Sequence, residues 1–179
     1  MTCIVGVKSD KGLYIGGDSA ISCDNLVQII TDPKVWRKGQ FVMGFAGSLR
    51  VGQIIKYKMK IPPINKRKPT EYMVTGFVDA MRKYLKLAGA AREDKKEEEQ
   101  ENQFLIGFKG HLFEIDEAYG VCEINDEFVS IGSGTEYALG SLYVTKNLDP
   151  KKRILKALET AAHFCEGVQP PFHIVEIKN

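Results

Sequence analysis

The chain has 179 residues, 44% of them apolar and 27% charged, with a formal net charge of +2. That length can bury one sizeable core, and a charge so near neutral lacks the basic footprint of a nucleic-acid binder. No apolar run approaches the ~20 residues that span a bilayer, and the N-terminus lacks a signal peptide's basic flank and cleavage site. The expectation is a cytoplasmic protein with no nucleic-acid or membrane partner.

Cys3 to Val7 is apolar and rich in β-branched residues, which predicts a buried strand. Ser9-Asp10-Lys11-Gly12 is turn chemistry, and Leu13 to Asp18 predicts a second strand. As a hairpin, the two bring Asp18 beside Thr2 although sixteen residues separate them. Residues 19–32 read as irregular, with apolar content from Leu26 to Ile30. Lys34 to Arg37 and Phe41 to Ala46 are short strands around a Lys38-Gly39-Gln40 turn. Gly47-Ser48 is then a strand-to-helix junction, since Leu49, Val51, Ile54, Ile55 and Tyr57 follow at helical spacing. The prolines and the Lys66-Arg67-Lys68 cluster of 61–69 predict a loop. Thr70 is the expected cap of a long helix with Tyr72, Met73, Phe77, Val78, Met81, Tyr84, Leu85 and Ala88 on its apolar face. The mixed charge run 92–102 reads as a solvated helix end or mobile loop without chemistry.

Phe104 to Lys109 and His111 to Asp116 predict a hairpin about Gly110. Phe128 to Gly132 is a further strand leading through Ser133-Gly134 into a helix from Thr135. Asp149-Pro150 caps and starts a helix that runs to about Cys165 and stops at Gly167, and Phe172 to Ile177 closes the chain as a strand. Strands and pairs of helices in this segregated order predict an α+β fold, two packed sheets with helices outside, in a single domain over 1–179.

Cys3, Cys23, Cys122 and Cys165 form no Cys-x-x-Cys pair, so they are expected to be reduced, small buried hydrophobes. His111, His163 and His173 lack ligand spacing, and no metal site is expected of these side chains. Thr2 carries the chemistry. If Met1 is removed, Thr2 holds both a hydroxyl nucleophile and a free α-amine whose reference pKa is about 7.7–8.0. An N-terminal threonine activated by its own amine is a known nucleophile–base pair.

Thr2, Gly17-Asp18, Lys34-Val35, Phe45-Ala46-Gly47-Ser48 and Ile131-Gly132-Ser133-Gly134 together resemble the proteasome β-subunit family of N-terminal nucleophile hydrolases, in its HslV-like branch. Tyr137-Ala138 and Phe172-His173 extend the resemblance, so that it spans the chain except about 60–103. It implies a four-layer αββα sandwich, removal of Met1 alone, and subunits stacked as homo-oligomeric rings around a chamber. The implied function is a threonine-type endopeptidase acting on unfolded polypeptide or peptides, with an ATPase unfoldase as partner.

In that reading Thr2 is the nucleophile, Lys34 stabilises its alkoxide, and Asp18 holds Lys34. The Gly47 N–H is the oxyanion donor, and Ser133 organises the amine and the proton path. Ser22 and Gly47 would hold the substrate backbone. Ile21, Trp36 and Phe45 would line an apolar specificity pocket, unless Trp36 and Phe45 are ordinary core. No cofactor is required, although the HslV branch lines a site for sodium or a similar cation with backbone carbonyls. Two alternatives stay open: an inactive ring or scaffold subunit, which a retained Met1 would produce, and a small-molecule amidase of the same superfamily.

Overall fold

Strand alternation divides the core into three layers, and those layers define the architecture. The computed structural model describes residues 1–23, 26–64, 66–94 and 97–178. β1 (Ile4–Ser9) and β2 (Gly12–Gly17) form the first predicted hairpin, with Ile4 opposite Gly17. They lie at the centre of a four-stranded antiparallel sheet, flanked by β12 (Phe128–Ile131) and β13 (His173–Lys178). The second sheet runs β11 (Val121–Ile124), β10 (His111–Ile115), β9 (Asn102–Phe108), β6 (Phe41–Gly47), β5 (Val35–Lys38).

Because side chains alternate across a strand, each sheet has two buried faces. Cys3, Val5, Val7 and Tyr14 face α4 (Thr135–Val144) and α5 (Pro150–Phe164) in one cluster. Phe41, Met43, Phe45, Phe104, Ile106 and Phe108 face the other helical layer, with Phe41 stacked on Phe108 at 4.3 Å. Between the sheets lie Ile4, Leu13, Ile15, Val35, Val42, Leu105, Leu112 and Val129, a layer without an aromatic ring. Gly6, Gly17, Gly44 and Gly107 also face this layer. A Cβ at Gly44 would come within 2.6 Å of Ile4 and 3.1 Å of Val35. The result is helix, sheet, sheet, helix, the expected αββα order.

The outer helices over the aromatic face are less regular than the sequence predicts. α1 (Leu49–Gln53) continues as a π-helical turn through Ile54–Lys58. The long helix is α2 (Pro69–Tyr72), a π-helical turn at Met73–Phe77, and α3 (Val78–Leu87). Its first residue is Pro69 and its cap position is Lys68, not Thr70; the Thr70 hydroxyl donates instead to the Glu123 carboxylate. Pro at the first helical position needs no N–H there, which fixes the start two residues earlier. Asp149 caps α5 as expected, accepting from the Lys151 N–H at 3.1 Å.

The segment read as irregular and the charge run read as a helix end or mobile loop both contain hairpins. β3 (Ala20–Cys23) pairs with β4 (Leu26–Ile29), whose residues are exposed. β7 (Arg92–Asp94) pairs with β8 (Glu97–Glu99) inside the charge run, while Lys95 and Lys96 of that run lie outside the described residues. Cys3 is buried as expected, Cys165 is half-buried, and Cys122 is exposed because it lies on the edge strand β11; all three are free thiols. The side chain of Cys23 lies outside the described ones. No helix among the described residues is long and apolar enough to cross a membrane.

Candidate active site

The site straddles the two sheets. Thr2 leads into β1, Asp18 follows β2, and Lys34 leads into β5 of the opposite sheet. The hairpin register that sets Ile4 opposite Gly17 is what brings Asp18 to Thr2. The Asp18 N–H donates to the Cys3 carbonyl at 3.3 Å, which continues the ladder one step further.

Thr2, Asp18 and Lys34 are all buried, at 6%, 0% and 2% exposure. Lys34 Nζ donates to Thr2 Oγ1 at 2.7 Å and to the two Asp18 carboxylate oxygens at 3.0 and 3.2 Å. Asp18 also accepts the Cys3 N–H at 3.0 Å and the Ala20 N–H at 2.9 Å, so the carboxylate is held by backbone on both sides. A charge so deeply buried persists only when paired. Burial pushes the Lys34 ammonium below the ordinary lysine value, and the Asp18 carboxylate beside it opposes that fall.

The Thr2 backbone is bracketed by the glycine-serine element. Its N–H donates to Ser133 Oγ at 3.1 Å; its carbonyl accepts from that hydroxyl at 3.3 Å and from the Gly134 N–H at 3.2 Å. Met1 is present and closes the other side. The Thr2 hydroxyl donates to the Met1 carbonyl at 2.5 Å, and the Met1 amine donates to Ser22 Oγ at 3.3 Å. In this state the Thr2 nitrogen is an amide and carries no basic lone pair.

Gly47 ends β6 at φ +125°, a conformation suited to glycine, and a Cβ there would collide with the Glu101 carbonyl. The Phe45 N–H donates across to the Lys34 carbonyl at 3.3 Å. By strand alternation the Gly47 N–H, two residues on, points to the same side of β6, past the start of β5 and away from β9.

A cleft of about 330 Å³ opens on Thr2, bounded by Met1, Ala46, Gly47, Gly132 and Ser133, with Glu101, Gln103 and Glu117 on its far wall. The sequence reading did not find those three; no local pattern marks them, because Glu101 and Gln103 meet Thr2 through the pairing of β6 with β9 and Glu117 through that of β9 with β10. Among the predicted pocket residues, Ile21 is half-buried and Ser22 exposed, both on β3. Trp36 and Phe45 do not border the cleft. Their side chains point to the aromatic face, where their rings lie 6.2 Å apart and Phe45 fills the space left by Gly52. Of the two readings the sequence left open for this pair, a specificity pocket or ordinary core, their place in the aromatic cluster favours core.

Cys3, next to Thr2, points into the α4–α5 face; burial pushes its thiol up to about 12, which leaves it protonated and unreactive. Among the described residues, no group of three or more His, Cys, Asp or Glu side chains is gathered as a metal site.

No protein-family model matches the chain. It is 29% identical over 170 residues to the ATP-dependent protease subunit HslV of Caldicellulosiruptor saccharolyticus, covering 92% of this chain and 91% of that one. The HslV subunit of Aquifex aeolicus is 27% identical over 181 residues, covering 98% and 97%. The fold is that of Thiobacillus denitrificans BPH in complex with epoxomicin, with a TM-score of 0.81 at 19% identity and 98% of each chain covered. HslV from Trypanosoma brucei superposes with a TM-score of 0.71 at 20% identity over 99% of each chain. In sequence along nearly its whole length, and in the order of its four layers, the chain is HslV-like, with the architecture of the proteasome β-subunit family of N-terminal nucleophile hydrolases.

Proposed function

We propose that this chain is a threonine-type endopeptidase subunit of a ring protease, active once Met1 has been removed. The observation that carries the proposal is the 2.7 Å contact between the buried Lys34 ammonium and the Thr2 hydroxyl, with Asp18 pinning the ammonium. Removal of Met1 turns the Thr2 amide nitrogen into an amine already held by Ser133 Oγ. That amine takes the hydroxyl proton while Oγ1 attacks a peptide carbonyl. The oxyanion forms towards the Gly47 N–H, and the Lys34 ammonium stabilises the negative charge on either side of the attack. The carbon–nitrogen bond then breaks, the leaving amine takes the proton from the Thr2 ammonium, and a Thr2 ester remains. Water hydrolyses the ester by the reverse proton route. These steps use only protein groups and water.

The chain matches HslV subunits end to end, and those relatives are named as ATP-dependent protease subunits. A cytoplasmic homo-oligomeric ring that receives unfolded polypeptide from an ATPase partner is the assembly this likeness favours.

The test is intact mass before and after incubation with a peptide epoxyketone, the class of inhibitor found with the BPH structure. The expected result is loss of Met1 and one covalent adduct, absent in Thr2→Ala. A chain that keeps Met1 and takes no adduct refutes the proposal and favours the inactive ring subunit.

A further inference from the structure

Asn102 opens β9 opposite Gly47, and its side chain is fully buried. Its Oδ1 accepts the Ser48 N–H at 2.7 Å, and its Nδ2 donates to the Ser48 carbonyl at 3.0 Å. One planar group thus closes on both polar groups of a single backbone residue. Among side chains of this length, a carboxamide offers a donor and an acceptor side by side whatever the pH, whereas a carboxyl group does so only when protonated. Asn102 is itself fixed. Its N–H donates to Gln100 Oε1 at 2.8 Å, and buried Gln100 donates from Nε2 to the Asp116 carbonyl at 3.0 Å. The Gln100 N–H reaches the Glu117 carbonyl at 2.9 Å. The chain of bonds therefore runs from the Glu117 wall of the cleft to the residue after Gly47.

Gly47 lies between two anchors. Ala46 before it is held in the ladder opposite Gln103, and Ser48 after it is held by Asn102. Ser48 also starts α1, its carbonyl accepting the Gly52 N–H at 3.1 Å, yet its own side chain makes no capping bond. A glycine at φ +125° has wide freedom to rotate if either anchor is released. Residue 47 is where the chain leaves strand geometry for helix geometry, and among the described residues Asn102 is the one side chain that hydrogen-bonds both backbone groups of the exit.

We infer that Asn102 is a positioning residue that holds Gly47 so that its N–H aims at the oxyanion. The inference rests on the threonine-nucleophile reading above. The experiment compares the full-length assembled protein with Asn102→Ala and Asn102→Asp; the aspartate keeps the acceptor for the Ser48 N–H and loses the donor for its carbonyl. Reactive sites are counted by epoxyketone adduct, kcat and KM are measured per counted site with a fluorogenic peptide, and hydrogen exchange is followed over residues 47–52.

In Asn102→Ala, kcat per counted site should fall about 10²–10³-fold, the range for losing one oxyanion donor. KM should stay within about threefold, since ground-state binding does not use this contact. Exchange should quicken at Ser48 while the β6–β9 ladder stays protected, and Asn102→Asp should lie between. A variant with fewer counted sites but wild-type kcat at each one would make Asn102 merely structural and overturn the inference, as would unchanged exchange at Ser48. A wild-type protein that takes no adduct overturns the nucleophile reading and the oxyanion role with it, while the exchange result still reports whether Asn102 holds Ser48.

Discussion

Replacing Asp18 with asparagine tests whether the buried pair or the backbone around it holds the site together. The carboxylate takes two bonds from Lys34 Nζ and one each from the N–H groups of Cys3 and Ala20. Asparagine is nearly isosteric but keeps one accepting oxygen, and its NH₂ must face a donor. The Lys34 ammonium, 2% exposed, then loses its only carboxylate partner among the described residues. Breaking a buried pair by removing one partner costs about 3–5 kcal/mol. At 2–4 °C per kcal/mol for a chain of this size, Tm should fall by about 6–20 °C.

The loss should depend on pH with a definite sign. Without Asp18 the largest influence opposing burial is gone, so the folded pKa of Lys34 drops further below its ordinary value of 10.5. Between those two values the unfolded chain binds more protons than the folded one, so stability rises with pH. The deficit of the variant should therefore narrow between pH 7 and pH 10. The assay is urea unfolding at one fixed protein concentration, since oligomers gain stability by mass action. A deficit below about 1 kcal/mol, the value of an exposed pair, would refute the reasoning, as would a deficit that stays constant to pH 10.

Peptide hydrolysis should show an alkaline limb in kcat/KM below the ordinary lysine value of 10.5, because burial lowers Lys34 and loss of its proton removes the ammonium at Thr2. In Asp18→Asn the limb of the residual activity should move to lower pH; a limb that does not move would remove Lys34 as its origin. Gly47→Ala places a Cβ against the Glu101 carbonyl and 2.7 Å from Asn102 Oδ1 at a φ of +125°. It should cost about 1–3 kcal/mol, read by thermal unfolding, and slow adduct formation at Thr2. Wild-type stability with wild-type labelling would contradict the strained junction.

What could be read from the sequence was what local rules determine. The β1–β2 hairpin follows from two apolar runs and a turn, and with it the approach of Asp18 to Thr2. The Asp149 cap and Pro150 start of α5 are equally local. Trp36 and Phe45 could not be assigned to pocket or core from sequence, because their strand parity relative to Thr2 depends on which sheet face the aromatic helices cover. β3 and β4 escaped because the exposed Leu26–Ile29 strand has no buried face to impose alternation. Glu101 and Asn102 end a mixed charge run that reads as solvent-exposed, and only the β6–β9 pairing places them at Gly47; Glu117 arrives separately, through the β9–β10 hairpin and the Gln100 N–H. The π-helical turns have no sequence signature here; one carries Met73 and Phe77 into the aromatic cluster.

The aliphatic layer between the sheets has a consequence for chemistry. Thr2 and Asp18 flank strands of one sheet, while Lys34 and Gly47 flank or end strands of the other, so the candidate site spans a seam. Stacked sheets ordinarily stand about 10 Å apart, and what sets the spacing is whatever fills the gap. Here four glycines act as shims, each denying the seam a methyl group that would press on Leu105, Ile4 or Val42. Interior volume and the reach from ammonium to hydroxyl are therefore a single dimension. A conservative change deep in the seam would be felt at Thr2 without touching it, so the geometry of the candidate site and the thickness of the core vary together.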